Sequence, residues 1–155
     1  MAKALVLYHS QDFGNTGAMA LAVADGLRDT GCEVDLFNTN DGRFDVTRFP
    51  QYDCVAFGSP DYYSYIAGGL KVFLDDHFIY DVRKGLKGMR GKPYVLFCSH
   101  GSGGKVKEVM PRLFNRIGTH IGEMVSCVRT PDEPTLARCK ALGKELAQAV
   151  LVRAS

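Results

Sequence analysis

A doubly wound α/β fold is predicted, with a five-stranded parallel sheet in the order 2-1-3-4-5 and helices on both faces. Three observations predict it. Apolar runs alternate with stretches of helical periodicity from end to end, the pattern of a parallel sheet joined by crossover helices. The runs are continuous, as in strands buried on both faces. With 155 residues, 46% hydrophobic and 23% charged, the chain suits a single domain over residues 1–155.

The first strand is expected over about Lys3 to His9, a continuous apolar run. The first helix follows from about Asn15 to Thr30. Met19, Val23 and Leu27, with Ala22 and Gly26, make one apolar face at helical spacing, and Gly31 stands where a helix C-terminus favours glycine. Strand two is expected over Cys32 to Phe37, followed by a polar loop through about Pro50. Strand three covers Asp53 to Gly58. Ile66 to Phe78 reads as a helix with Leu70, Phe73 and Leu74 facing inward. Gly85, Gly88 and Gly91 punctuate the approach to strand four, Pro93 to Ser99. Lys84, Lys87, Arg90 and Lys92 in that approach read as a solvated basic loop. Helix three is expected over Lys105 to Ile117, with Pro111 able to kink it. Strand five covers about His120 to Val128. Helix four begins near Pro131-Asp132-Glu133, whose acids complement the helix dipole, and runs to about Val152.

Composition excludes several classes. The formal net charge is +2, with no basic arm or arginine-rich tract, so nucleic acid is not an expected partner. No apolar run approaches the roughly 20 residues that cross a bilayer. The start of the chain lacks signal-peptide features, and a cytoplasmic location is the expectation. The five cysteines are odd in number and form no C-x-x-C, so buried free thiols are expected rather than a disulfide framework or a zinc site.

Function is carried by the loops after strands one, three and four. In this strand order, ligands bind beyond the C-terminal strand ends, at the switch point between strands one and three. Ser10-Gln11-Asp12-Phe13-Gly14-Asn15-Thr16 links strand one to helix one. A helix N-terminus offers unpaired N–H groups and the positive dipole end. Ser10, Asn15 and Thr16 add side-chain donors, and Gly14 lets the backbone approach a phosphate. A plain capped turn accounts for this loop equally well. Gly58-Ser59-Pro60-Asp61-Tyr62-Tyr63 places aromatic rings at a strand end, a platform for a planar ring. The same tyrosines would also suit packing on the next helix or on a partner chain. Ser99-His100-Gly101-Ser102-Gly103-Gly104 has little side chain to pack, which suits close backbone approach to a ligand, with His100 placed to stack or donate. A phosphate cradle and a ring platform in one small α/β chain point to FMN and redox chemistry.

On these residues the chain resembles a flavodoxin, over nearly its whole length. The family's phosphate loop resembles Ser10 to Thr16, and its ring-flanking loops resemble Ser59 to Tyr63 and Ser99 to Gly103. The run Gly58-Ser59-Pro60-x-Tyr62-Tyr63 is more similar to flavodoxin-like NAD(P)H:quinone oxidoreductases and small FMN reductases. With no long insertion in strand five, the chain resembles the short-chain form. The resemblance implies non-covalent FMN held by Ser10, Asp12, Phe13, Gly14, Asn15, Thr16, Ser59, Pro60, Asp61, Tyr62, Tyr63, Ser99, His100, Gly101 and Gly103, with no metal and no catalytic side chain. Three departures stand out. Phe13 occupies a place where the family usually has Thr, and Asp12 sits near the phosphate position, where it is expected to face solvent or cap an N–H. No tyrosine occurs in the third loop, and His100 is nearest in position. The sequence pI near 8.3 differs from the strongly acidic carriers.

Competing chemistries fit less well. A response regulator needs carboxylates at the ends of strands one and three to hold Mg²⁺, where this chain has Tyr8-His9-Ser10 and Gly58-Ser59. A cysteine phosphatase opening its loop at Cys98 would need a closing Arg, and none is present. Gly104-Lys105 is followed by Val106, not by the Ser or Thr of a Walker loop. Within the flavin class, the favoured expectation is an electron carrier whose redox partner docks at the exposed flavin edge. The alternative is an FMN-dependent oxidoreductase passing hydride from NAD(P)H to a quinone or other acceptor, a kind often completed as a homo-oligomer.

Overall fold

The structure, a computed structural model, describes residues 1–11 and 13–154. Six strands form its sheet: β1 (Lys3–Tyr8), β2 (Glu33–Asn38), β3 (Cys54–Pro60), β4 (Lys92–His100), β5 (Gly118–His120) and β6 (Val125–Val128). Their order is β2-β1-β3-β4-β5, with β6 also paired to β4. Every pairing is parallel. The predicted order is therefore present, with the fifth strand in two pieces. Two residues of β4, Val95 and Leu96, face a four-residue detour between His120 and Val125. Gly122, at φ +64°, lies in that detour against Glu145.

Strand periodicity explains the two cores. Leu5, Leu7, Val55, Phe57, Leu96 and Cys98 point to one face, and Ala4, Val6, Cys54, Ala56, Val95 and Phe97 to the other. The first face meets α2 (Gly68–Phe78) and α3 (Val106–Leu113). It is rich in aromatics, with Phe57 stacked on Phe114 at 4.3 Å and tilted against Phe73 at 5.7 Å. The second face meets α1 (Asn15–Asp29) and α4 (Glu133–Ala154), and small residues let these helices come close. A Cβ on Gly26 would collide with the Lys140 carbonyl, and one on Gly143 with the Val23 carbonyl.

Differences from the expected boundaries have local causes. Helix three stops at Leu113, two residues after Pro111, and passes into a 3₁₀ turn over Asn115–Ile117. Pro111 lies inside the helix, where it lacks only the N–H that would have bonded to the Lys107 carbonyl. The loop before strand three contains a 3₁₀ turn over Val46–Gln51, capped by Asp45, whose side chain accepts from the Thr47 N–H at 3.0 Å. α2 runs into a π-helical turn over Ile79–Arg83. Lys92 is not in a solvated loop: it is buried and donates from Nζ to the Tyr52 carbonyl at 2.6 Å. Desolvation pushes its pKa down from the usual lysine value. All five cysteines are free and buried. No helix among the described residues is long and apolar enough to cross a membrane.

His77 is a buried polar residue that helical spacing did not single out. Its Nε2 lies 2.7 Å from the Met89 carbonyl, and its ring meets Phe49 edge-on at 5.6 Å. Desolvation lowers its pKa from 6.5.

Two outcomes are expected. Gly26→Ala forces α1 away from α4 and should lower unfolding free energy by about 1–3 kcal/mol, read from urea denaturation midpoints. For His77, the folded state binds its proton less readily than the unfolded state. Its contribution is complete above the unfolded pKa of about 6.5 and is lost as pH falls toward the lowered folded value. Stability should therefore drop between about pH 7 and about pH 5, and drop less in His77→Gln. Part of the slope should persist through His120, whose pKa burial also lowers.

Candidate ligand-binding cleft

The C-terminal ends of β1, β3, β4 and β6 surround a cleft of about 540 Å³, within the usual range for small-molecule sites. Ser10, Gln11, Phe13, Asn15 and Thr16 line it from the first loop. Pro60, Asp61 and Tyr62 come from the second, Ser99, His100 and Gly101 from the third, and Arg129 and Thr130 from the end of β6. The three loops singled out in the sequence therefore converge, and a fourth joins them. Asp12 lies outside the described residues.

The first loop is held by contacts across the sheet. Asn38, the last residue of β2, accepts from the Ser10 N–H at 3.0 Å and donates to the Ser10 carbonyl at 2.9 Å. The Ser10 hydroxyl accepts from the Gly17 N–H at 3.0 Å. That bond uses one lone pair and leaves the hydroxyl proton to donate. Gly14 turns the chain into α1 at φ 70°, ψ 20° and has no side chain to cap the helix, so the cap on the Gly17 N–H comes from Ser10. A Cβ there would meet nothing, so the left-handed backbone and not crowding favours glycine. The first turn of α1 holds no acidic residue, so the positive dipole end faces the cleft without a built-in carboxylate.

Thr16 and Ser99 are both buried, and their hydroxyls lie 2.7 Å apart. One donates to the other, and the acceptor keeps its own proton for a further bond. Their contact ties the first loop to the third. Asp61 ties the second loop to α3: its carboxylate accepts from the Ser64 N–H at 2.8 Å and from the Val106 N–H at 3.1 Å. Ser59 is fully buried beneath the cleft. Its hydroxyl donates to the Pro60 carbonyl and accepts from the Ala67 N–H at 3.1 Å.

The aromatic residues divide. Tyr62 lines the cleft, with His9 edge-on at 5.8 Å. His9 is held between Thr39 and Gln11, each at 2.9 Å. Tyr63 points fully into solvent and is not part of the lining, and Phe13 on the opposite lip is 91% exposed. The Tyr62–Tyr65 segment closes as a two-residue hairpin with reciprocal backbone bonds of 3.1 and 3.2 Å. Its central residues, Tyr63 and Ser64, have φ of 55° and 64°. This is type I′ geometry without the usual Asn-Gly pair, a strained backbone of the sort that gathers at functional sites. In the third loop, His100 Nδ1 lies 2.8 Å from the Gly101 carbonyl. Its ring fills the space that a Cβ on Gly104 would occupy. Gly103 has no part in the lining.

Cys98, next to this loop, is fully buried. Desolvation pushes its thiol up to about 12, and Lys107 offsets this only in part. Burial of this kind disfavours the thiolate, the form that acts as a nucleophile. Among the described residues, no cluster of His, Cys, Asp or Glu could hold a metal ion.

Asn38, Gln11, Arg129 and Thr130 were not singled out from sequence. Asn38 is polar and carries no motif. Arg129 and Thr130 follow strand five, whose C-terminal end is also at the ligand edge of this topology, so their position was a usable signal.

An archaeal flavodoxin of known structure superposes over 96% of this chain and 99% of its own, with a TM-score of 0.76 and 24% identity. The fold is the flavodoxin fold. The rubredoxin oxygen:oxidoreductase of Desulfovibrio gigas superposes over 99% of this chain but 37% of its own, with a TM-score of 0.81 and 20% identity. Among curated proteins, an NAD(P)H dehydrogenase (quinone) of Archaeoglobus fulgidus is 34% identical over 48% of this chain and 51% of its own length. The chain thus spans about half the length of the curated relative it matches. No family model matches it.

Asn38→Ala should remove two bonds that seat Ser10. At about 0.5–1.5 kcal/mol each, the expected loss of unfolding free energy is about 1–3 kcal/mol, measured by urea denaturation.

Proposed function

We propose that this flavodoxin-fold chain binds FMN without a covalent bond in the cleft and carries electrons between redox partners. One observation carries this reading: loops from four strand ends enclose a ligand-sized space into which α1 opens with an acid-free first turn. The donor set fits a phosphorylated ligand. The Ser10 hydroxyl, the spare proton of the Thr16–Ser99 pair and the N–H groups at the start of α1 are suited to phosphate oxygens. Tyr62 lines the cleft and is the side chain best placed to lie against a planar ring, with His100 on the third loop. FMN would supply the electron-accepting ring. The chain's own work is then to seat that ring, shape its surroundings and leave one edge reachable. Gly14, Pro60 and Gly101 provide backbone at the cleft edge. Asp61, by holding Ser64 and Val106, positions the second loop. Phe13 and Tyr63, exposed on opposite lips, would frame the docking surface for a redox partner, an encounter expected to be small and weak.

A second reading has its own support. The curated relative named as an NAD(P)H dehydrogenase (quinone) and the basic pI near 8.3 favour an FMN-dependent oxidoreductase acting on a quinone or similar acceptor, as a homo-oligomer whose neighbours complete the site. The carrier is preferred because the oxidoreductase needs a second substrate site, and none is assigned among the described residues.

The purified protein should be yellow, or become so with added FMN. Under anaerobic conditions dithionite should bleach it while NAD(P)H leaves the spectrum unchanged. Fast bleaching by NAD(P)H would replace the carrier with the oxidoreductase. A colourless protein that takes up no FMN would end both readings.

A further inference from the structure

We propose that Arg129 is the cationic ligand of the flavin phosphate, and that it makes the cleft prefer FMN to unphosphorylated riboflavin. This deepens the flavin reading above and rests on it. Arg129 directly follows β6 and lines the same cleft as Asn15 and Thr16 at the start of α1. It is the one Lys or Arg among the described residues of that lining.

Its backbone is held in an unusual state. Arg129 has φ 58°, a left-handed conformation that costs a side-chain-bearing residue roughly 1–2 kcal/mol. Two bonds fix it there. Its N–H donates to the His100 carbonyl at 2.8 Å, and its carbonyl accepts from the Cys127 thiol at 3.5 Å. Glycine would take this conformation more readily, yet the position carries a long cation directed to the ligand edge. Strain retained at a cleft is a reason to look for a role.

Charge accounting points the same way. A phosphate monoester brings about −1.5 to −2 charges at neutral pH. The N-terminus of α1 offers only about half a positive charge. Of the buried hydroxyls nearby, Thr16 and Ser99 are partly occupied with each other. The carboxylate in the lining, Asp61, is engaged with the N–H groups of Ser64 and Val106. Among the described residues, the exposed Arg129 guanidinium makes no ion pair. A planar fork of N–H donors matches phosphate oxygens.

The test is a fluorescence titration of flavin-free protein with FMN and, separately, with riboflavin. Arg129→Gly removes the cation while relieving the backbone, so the fold should survive, and far-UV circular dichroism checks this. FMN affinity should fall at least about tenfold, with riboflavin affinity held within about twofold. Arg129→Lys should recover part of the FMN affinity. Rising salt should weaken FMN binding more in the parent protein than in Arg129→Gly. Unchanged FMN affinity in Arg129→Gly, or equal losses for both flavins, would overturn the assignment and leave the flavin reading standing. A parent protein that binds neither flavin would instead overturn the flavin reading, and this assignment with it.

Discussion

The burial of both faces of β1, β3 and β4 is the constraint on which the rest of the molecule depends. A parallel sheet leaves no face for water, so each strand must carry apolar side chains in both directions. The two covers then differ by what fills them. Under α2 and α3, large rings such as Phe57, Phe73 and Phe114 interlock. Under α1 and α4, alanines and glycines let helix backbones approach. Parallel strands also place every strand-to-helix turn after a strand at one edge. The cleft is therefore a consequence of the sheet before any of its side chains is considered.

At that edge the polar groups fall into two kinds. Asn38, Asp61, Ser59 and His9 are engaged with backbone or neighbouring side chains, and they fix loop positions. Ser10 and the Thr16–Ser99 pair each retain hydrogen-bonding capacity after making their structural contacts. A site of this construction can receive an anion with little rearrangement, because its loops are tied to one another without it. The carboxylate of Asp61 is held in the same way, by the backbone N–H groups of Ser64 and Val106.

The cysteines and His77 serve packing. The thiols of Cys98 and Cys139 are both pushed up to about 12 by burial, which suits small hydrophobes and not nucleophiles. His77, buried against Phe49, remains neutral for the same reason. The polar groups that keep spare hydrogen-bonding capacity lie at the loop edge.

Sequence by itself determined the strand order, the four crossover helices and the three loops that line the cleft, because these rest on local periodicity and on turn residues such as Gly14 and Pro60. It also marked the four cysteines in or beside strands as buried thiols. Tertiary structure alone decided that Tyr62 lines the cleft while Tyr63 faces solvent, since adjacent residues in a tight hairpin diverge by backbone angles that composition does not encode. It decided that Lys92 is buried against the Tyr52 carbonyl, that Thr16 meets Ser99, and that Arg129 lines the same cleft as the first loop. The Lys92–Tyr52 and Thr16–Ser99 contacts link residues distant in the chain, the first through the β3–β4 pairing and the second through the seat of α1 on the sheet.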